Sequence, residues 1–173
     1  RDTLTMAWGL KGRVIGNWFT DTNISYFDIL HDTTISSTYN PNDPVFAKVP
    51  TGQNASWDGT GWFNLSSKWN NDEFLGNKNL SAATGYEFQH ASITQKTTML
   101  SNVFQGIQST GPLSGAPVTN PYPLKTLTGG VVDTHGMFGQ LSWRFAKDWD
   151  ATPGIRLERW NMSDGVYLSS SAA

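Results

Sequence analysis

The tightest constraint on this chain lies between residues 133 and 160, where apolar residues alternate with small or polar ones. His135, Met137, Gly139, Leu141, Trp143 and Phe145 share one parity, while Gly136, Gln140, Ser142 and Arg144 share the other. After a polar turn over 146–150, Ile155 and Leu157 again oppose Arg156 and Glu158. A period of two marks a strand whose faces meet different surroundings. The two strands, joined by a short turn, read as one hairpin. Each runs to about ten residues or more, the length a tilted strand needs to cross a bilayer. The pattern points to the wall of a transmembrane barrel rather than to an enzyme core.

The same alternation recurs more weakly upstream. Over 3–18, Leu4, Met6, Trp8, Leu10, Val14 and Trp18 oppose Thr3, Thr5, Lys11, Arg13 and Asn17, with Ile15 out of step. A turn is expected over 19–23, then a poorly alternating strand over 24–31. Residues 59–69 set Phe63, Leu65 and Trp69 against Trp62, Asn64, Ser66 and Lys68. Residues 79–93 set Leu80, Ala82, Tyr86 and Phe88 against Ser81, Gly85, Glu87 and Gln89. Three hairpins are therefore expected, over 3–31, 59–93 and 133–162, separated by long loops at 32–58 and 94–132 that are dense in turn formers. The expected fold is all-β: antiparallel up-and-down hairpins with long loops, forming part of a transmembrane β-barrel. Alternating short and long connections suit such a barrel. So do Trp18, Phe19, Trp69, Phe145 and Trp149, which flank the short turns as an interfacial girdle would.

Composition narrows the alternatives. A net charge of −2 supplies no basic stripe for phosphates, so nucleic-acid binding is not expected. Without cysteine there are no disulfides, thiolate zinc sites or thiol nucleophiles. Charged residues make up 15%, below the roughly 25% of ordinary soluble domains. No apolar run is long enough for a spanning helix, but a barrel passes a hydropathy scan unnoticed. Asp133 with His135, and Asp28 with His31 and Asp32, read as polar residues at loop ends rather than as metal ligands, which need convergent sets. Ser114 lacks a nucleophile elbow. Asp72, Glu73 and Glu87 show no glycosidase spacing. No enzyme, metal or cofactor is expected.

The segment GMFGQLSWRFAKDWDATPGIRLERW, residues 136–160, resembles the TonB-dependent outer-membrane receptors. It carries an aromatic-x-Gln strand, then Trp143-Arg144-Phe145, a short turn with Trp149, and Pro153-Gly-x-Arg156-x-Glu158. Trp62 to Leu65 and Leu80 to Tyr86 resemble another hairpin of that family. The resemblance implies import of a siderophore, cobalamin or oligosaccharide across the bacterial outer membrane. It also implies that this chain is part of a longer receptor, whose partners are membrane lipid, a plug domain, the remaining barrel strands and the TonB complex. Strand parity places Gln140, Arg144, Arg156 and Glu158 toward a wet lumen, and the resemblance points Arg156 and Glu158 toward the plug; Trp18, Trp69, Phe145 and Trp149, flanking the short turns, are expected at the lipid interface. Tyr39, Trp57, Phe104 and Tyr122, on the long loops, are candidates for contact with a small-molecule ligand. The rival reading is a soluble β-sandwich carbohydrate-binding module, in which Trp57 and Trp62 would stack on sugars.

Overall fold

The computed structural model describes residues 1–37, 51–102, 107–108 and 124–169. They form antiparallel strands: β1 (Asp2–Ile15), β2 (Trp18–His31), β3 (Thr33–Ser37), β4 (Gly52–Ser56), β5 (Gly61–Asn71), β6 (Leu80–Asn102), β7 (Ile107–Gln108), β8 (Leu124–Ala146), β9 (Trp149–Ala151) and β10 (Gly154–Ser169). A single 3-10 turn, Phe74–Gly76, joins β5 to β6. The six long strands lie side by side in chain order, β1-β2-β5-β6-β8-β10, each paired antiparallel with the next. This is the expected up-and-down arrangement.

Two expected boundaries move. The first turn sits at Gly16 and Asn17, not over 19–23, because Gly16 takes φ +56°, which costs a glycine little. The polar residues Thr20 to Asn23 then pair regularly with Gly12 to Gly9 across the hairpin. The strands also run further than alternation indicated. Thr94 to Asn102 continue β6, Leu124 to Val132 begin β8, and β3 and β4 form a small hairpin inside the expected loop 32–58. β6 and β8 each have 23 residues, roughly 75 Å of strand at 3.3 Å per residue, while a bilayer needs about ten. In the threonine-rich extension TQKTTMLSN the buried residues Thr97 and Thr98 are polar and the apolar Met99 and Leu100 are adjacent, so the segment resembles a loop.

Registry fixes which residues share a face. Leu10, Thr22, Ser67, Tyr86, Met137 and Leu157 form one row across six strands; Trp8, Ile24, Leu65, Phe88, His135 and Arg159 form the next on the same side. This apolar side carries no second layer among the described residues. Leu141 is 41% exposed, Trp143 52% and Leu157 66%, and only Ile29 and Leu100 qualify as buried hydrophobics. Leaving such a face in water would forfeit on the order of 10–20 kcal/mol of apolar burial, as much as the whole stability of a typical domain. The sandwich reading needs these residues sealed between two sheets, and the single sheet does not supply that.

The sheet also leans. Arg13, Phe19, Asn70, Ala83, Gln140 and Gly154 make one row. On β1 that row lies two residues above the last pair at Ile15; on β8 it lies six above the last pair at Ala146. Over four strand steps this is about one residue of stagger per strand. With about 3.3 Å per residue and 4.8 Å between strands, the tilt is about 35°, within the range of closed barrels.

Close packing within the sheet depends on Gly85, whose in-register neighbour Phe138 lays its ring over the glycine. A Cβ there would collide with that ring and stand 2.8 Å from the Ser67 carbonyl. An aromatic covering a strand glycine restores the packing that the glycine lacks. We expect Gly85→Ala to lower the temperature at which heat-modifiable gel mobility is lost, and Phe138→Ala to recover part of that loss when combined with it. Wild-type behaviour of Gly85→Ala would contradict the packing.

Candidate functional site

The candidate site is the opposite, polar face of the sheet. One row holds Lys11, Asp21, Lys68, Gly85, Phe138 and Arg156; the next holds Gly9, Asn23, Ser66, Glu87, Gly136 and Glu158; a third holds Ala7, Ser25, Asn64, Gln89, Thr134 and Trp160. In the first row charges alternate in sign across β1, β2 and β5. Lys11 Nζ lies 2.9 Å from Asp21, and Asp21 sits opposite Lys68. All the groups lie on side chains of alternate residues in neighbouring strands, so a one-residue slip would move every one of them to the apolar side.

The most densely hydrogen-bonded side chain of this face is Arg156, on the edge strand β10. Its Nε donates to Glu158 at 2.7 Å and its Nη2 to Glu87 at 2.7 Å. Glu87 belongs to β6, so the guanidinium reaches across the whole width of β8. It can do so because the β8 residue beneath it is Gly136: a Cβ there would stand 3.3 Å from Arg156 Nη2 and 3.7 Å from Glu87. Two carboxylates thus share one guanidinium, leaving the cluster with a formal charge of −1. Beside it opens a cleft of about 270 Å³ lined by Asn64, Ser66, Gln89 and Thr134. The sequence reading set Arg156 and Glu158 on one polar face but did not find Glu87, 69 residues away, as a partner. The available signal was parity: Glu87 falls on the polar side of its strand.

Toward the short turns, Gln140 and Ser142 line a second polar cleft with Lys68, Asn70 and Asp72, about 390 Å³ in volume. Arg144 Nε donates to Asp150 Oδ1 at 3.2 Å, and the Arg144 amide bonds the Asn79 carbonyl. Gln140, Arg144, Arg156 and Glu158 therefore share one face. Phe138, which alternation did not single out, shares it too. The turn aromatics stand at one end of the sheet: Trp18 packs edge-on against Phe74 at 6.0 Å, Trp143 lies 5.5 Å from Phe145, and Trp69 and Trp149 are exposed. Phe19 departs from that set. It lies on the polar face, beneath the Arg13 guanidinium at 5.1 Å from its ring centroid.

The opposite end of the sheet carries Trp57, half-buried, with its amide bonded to the Asp32 carbonyl at 3.0 Å. Asp58 beside it accepts the Asp32 amide at 2.7 Å, which with Ser56 and the nearby His31 imidazole holds its carboxyl below the usual range. Phe27 and Trp62 stack on the polar face at 4.0 Å and 20°, which explains the weak alternation of β2. Tyr39, Phe104 and Tyr122 lie outside the described residues. Among the described residues no cluster of histidine and carboxylate residues could hold a metal ion.

If Gly136 is what lets Arg156 cross β8, Gly136→Leu should lower the urea midpoint of the folded barrel as Arg156→Gln does. The double variant should be no worse than the poorer single. Losses that simply add would show that the two residues act independently.

A family model described as TonB dependent receptor-like, beta-barrel matches residues 1–172. No curated protein and no solved structure matches the chain.

Proposed function

Because this chain belongs to the TonB-dependent receptor β-barrel family, we propose that it forms part of the wall of an active transporter for a scarce nutrient: a siderophore, cobalamin or an oligosaccharide. Members of that family are transporters rather than enzymes, sit in the Gram-negative outer membrane, and work with a plug domain and TonB. The observation that carries the reading is the two-faced sheet: an uncovered apolar side and a hydrogen-bonded, charged side in one continuous registry. In hydrocarbon every backbone amide needs a partner, so strands survive there only in a closed barrel. The apolar side faces lipid, and the polar side faces a wet lumen.

In this reading Gln140, Arg144, Arg156 and Glu158 face the lumen, and the Arg156–Glu158 pair makes charge-assisted contacts with the plug. Support comes from their shared face and from the uncompensated carboxylate that Glu87 adds. Trp18, Trp69, Phe145 and Trp149 occupy the interface at the short-turn side, where amphipathic rings are favoured. The long-loop end captures ligand, with Trp57, Tyr39, Phe104 and Tyr122 as contact candidates.

Two substitutions one residue apart test the lipid assignment. Leu141→Arg places a charge on the apolar side at a cost of roughly 2–4 kcal/mol if that side meets the bilayer centre. It should abolish heat-modifiable protein in the outer-membrane fraction. Gln140→Arg should assemble normally. Equal tolerance of both would remove the reading, and uptake that persists after loss of TonB would remove its energised part.

A further inference from the structure

Toward the long-loop end, two neighbouring rows of the polar face carry no charge. One runs from Ala7 through Asn64 and Gln89 to Trp160; the row above it is Thr5, Phe27, Trp62, Ala91, Val132 and Met162. The upper row is largely apolar, although it lies on the side that is otherwise polar. A wet lumen does not select such residues, so they point to something that meets them. Trp62 stands in the middle of the row. It is the second residue of β5 and has a neighbouring strand of this chain on each side.

Phe27 covers one face of the indole, with ring centroids 4.0 Å apart and planes 20° from parallel. Two rings so close and so nearly parallel, on adjacent strands, stand upright on the sheet. The second indole face therefore looks across β6, where the paired residue is only Ala91. Val132 on β8 closes the far side. The slot between Trp62 and Val132 spans two strand spacings, about 10 Å. Trp62 keeps 41% of its surface exposed despite the stack. One step below, Asn64 Nδ2 donates to Ser25 Oγ at 3.2 Å, which fixes the amide and leaves its carbonyl oxygen as an acceptor. Gln89 beside it is exposed. A pyranose has a C–H face that packs on an indole and a rim of hydroxyls that bond amides and hydroxyls. Trp62 supplies the first surface; Asn64, Gln89 and Thr134 supply the second. An anionic ferric chelate needs cations, and these two rows hold none. A corrin macrocycle is too broad for a slot of this width.

We propose that Trp62, looking over Ala91 with Asn64 and Gln89 beneath it, is a stacking subsite for one sugar unit of a neutral oligosaccharide. The proposal rests on the transporter reading above and selects among its three substrate classes: the nutrient is a glycan, not a siderophore or cobalamin. The indole holds the sugar ring, and the amide row reads its hydroxyls.

The test uses the intact receptor in detergent on an array of neutral oligosaccharides. Calorimetry then measures the glycan retained best, cyanocobalamin and a ferric catecholate siderophore. The wild type should bind a neutral glycan and neither of the other two. Trp62→Ala should weaken glycan binding about tenfold, and Trp62→Phe much less. Ala91→Leu, which fills the slot and leaves the indole in place, should weaken it as much as Trp62→Ala. Either of these two variants decides alone if the other loses heat-modifiable mobility. Raising the salt concentration should leave the affinity unchanged, because no charge takes part. Glycan binding untouched by Trp62→Ala and by Ala91→Leu, as when a plug segment covers the ring, would overturn the subsite. A receptor that retains no neutral glycan would overturn the substrate class. Failure of the transporter reading would appear differently, as a bound glycan whose uptake does not depend on TonB.

Discussion

A polypeptide that crosses oil cannot leave a backbone amide unpaired, and the architecture described here follows from that constraint. Strands satisfy it only between themselves, so six of them lie in antiparallel registry across the sheet, shifted only at bulges toward the strand ends. Registry in turn commits every side chain to one of two faces. Leu157 and Arg156 are neighbours in the chain and lie on opposite faces of the sheet. The hydrogen-bond ladder thus does the work that a buried core does in a soluble domain. This is why so few hydrophobic side chains are buried within the described residues.

The polar face shows how the same ladder brings distant residues together. Arg156 and Glu87 are 69 positions apart and belong to strands that are not neighbours. They meet because the intervening strand contributes a glycine at their crossing point. Gly85 beneath Phe138 is the complementary device, a gap filled by a ring from the adjacent strand. In both cases glycine marks a place where another strand's side chain must pass close to the backbone.

Much of this was legible in residues 133–160, where parity separates Leu141, Trp143 and Leu157 from Gln140, Arg144, Arg156 and Glu158. Parity was informative there because one face of both strands is apolar and the other polar along their paired length. It failed at Thr94–Asn102 and Leu124–Val132, where buried residues such as Thr97 and Thr98 are polar and the apolar Met99 and Leu100 are adjacent rather than alternate. It failed at the first turn because Ile15 broke the pattern just before Gly16, and a lone glycine is a weaker signal than a polar cluster. Glu87 as a partner of Arg156 was invisible, since pairing between strands depends on registry and no local pattern encodes it. Both sheet edges, β1 and β10, are exposed along nearly their whole length. Exposed edges of that length demand further strands, which agrees with a chain that belongs to a larger barrel.

The central claim is that adjacent residues on one strand face lipid and water in turn. These 173 residues contain no cysteine, so single cysteines introduced along β8 and β10 of the membrane-embedded receptor, with any cysteine elsewhere in it replaced, report their positions. A fluorophore attached at 137, 141, 155 or 157 should be quenched by a spin label carried on lipid acyl chains. One attached at 138, 140, 156 or 158 should be spared, so that quenching rises and falls with every residue. Quenching that is uniform along either strand, or that is strongest at 140 and 156, would contradict the account.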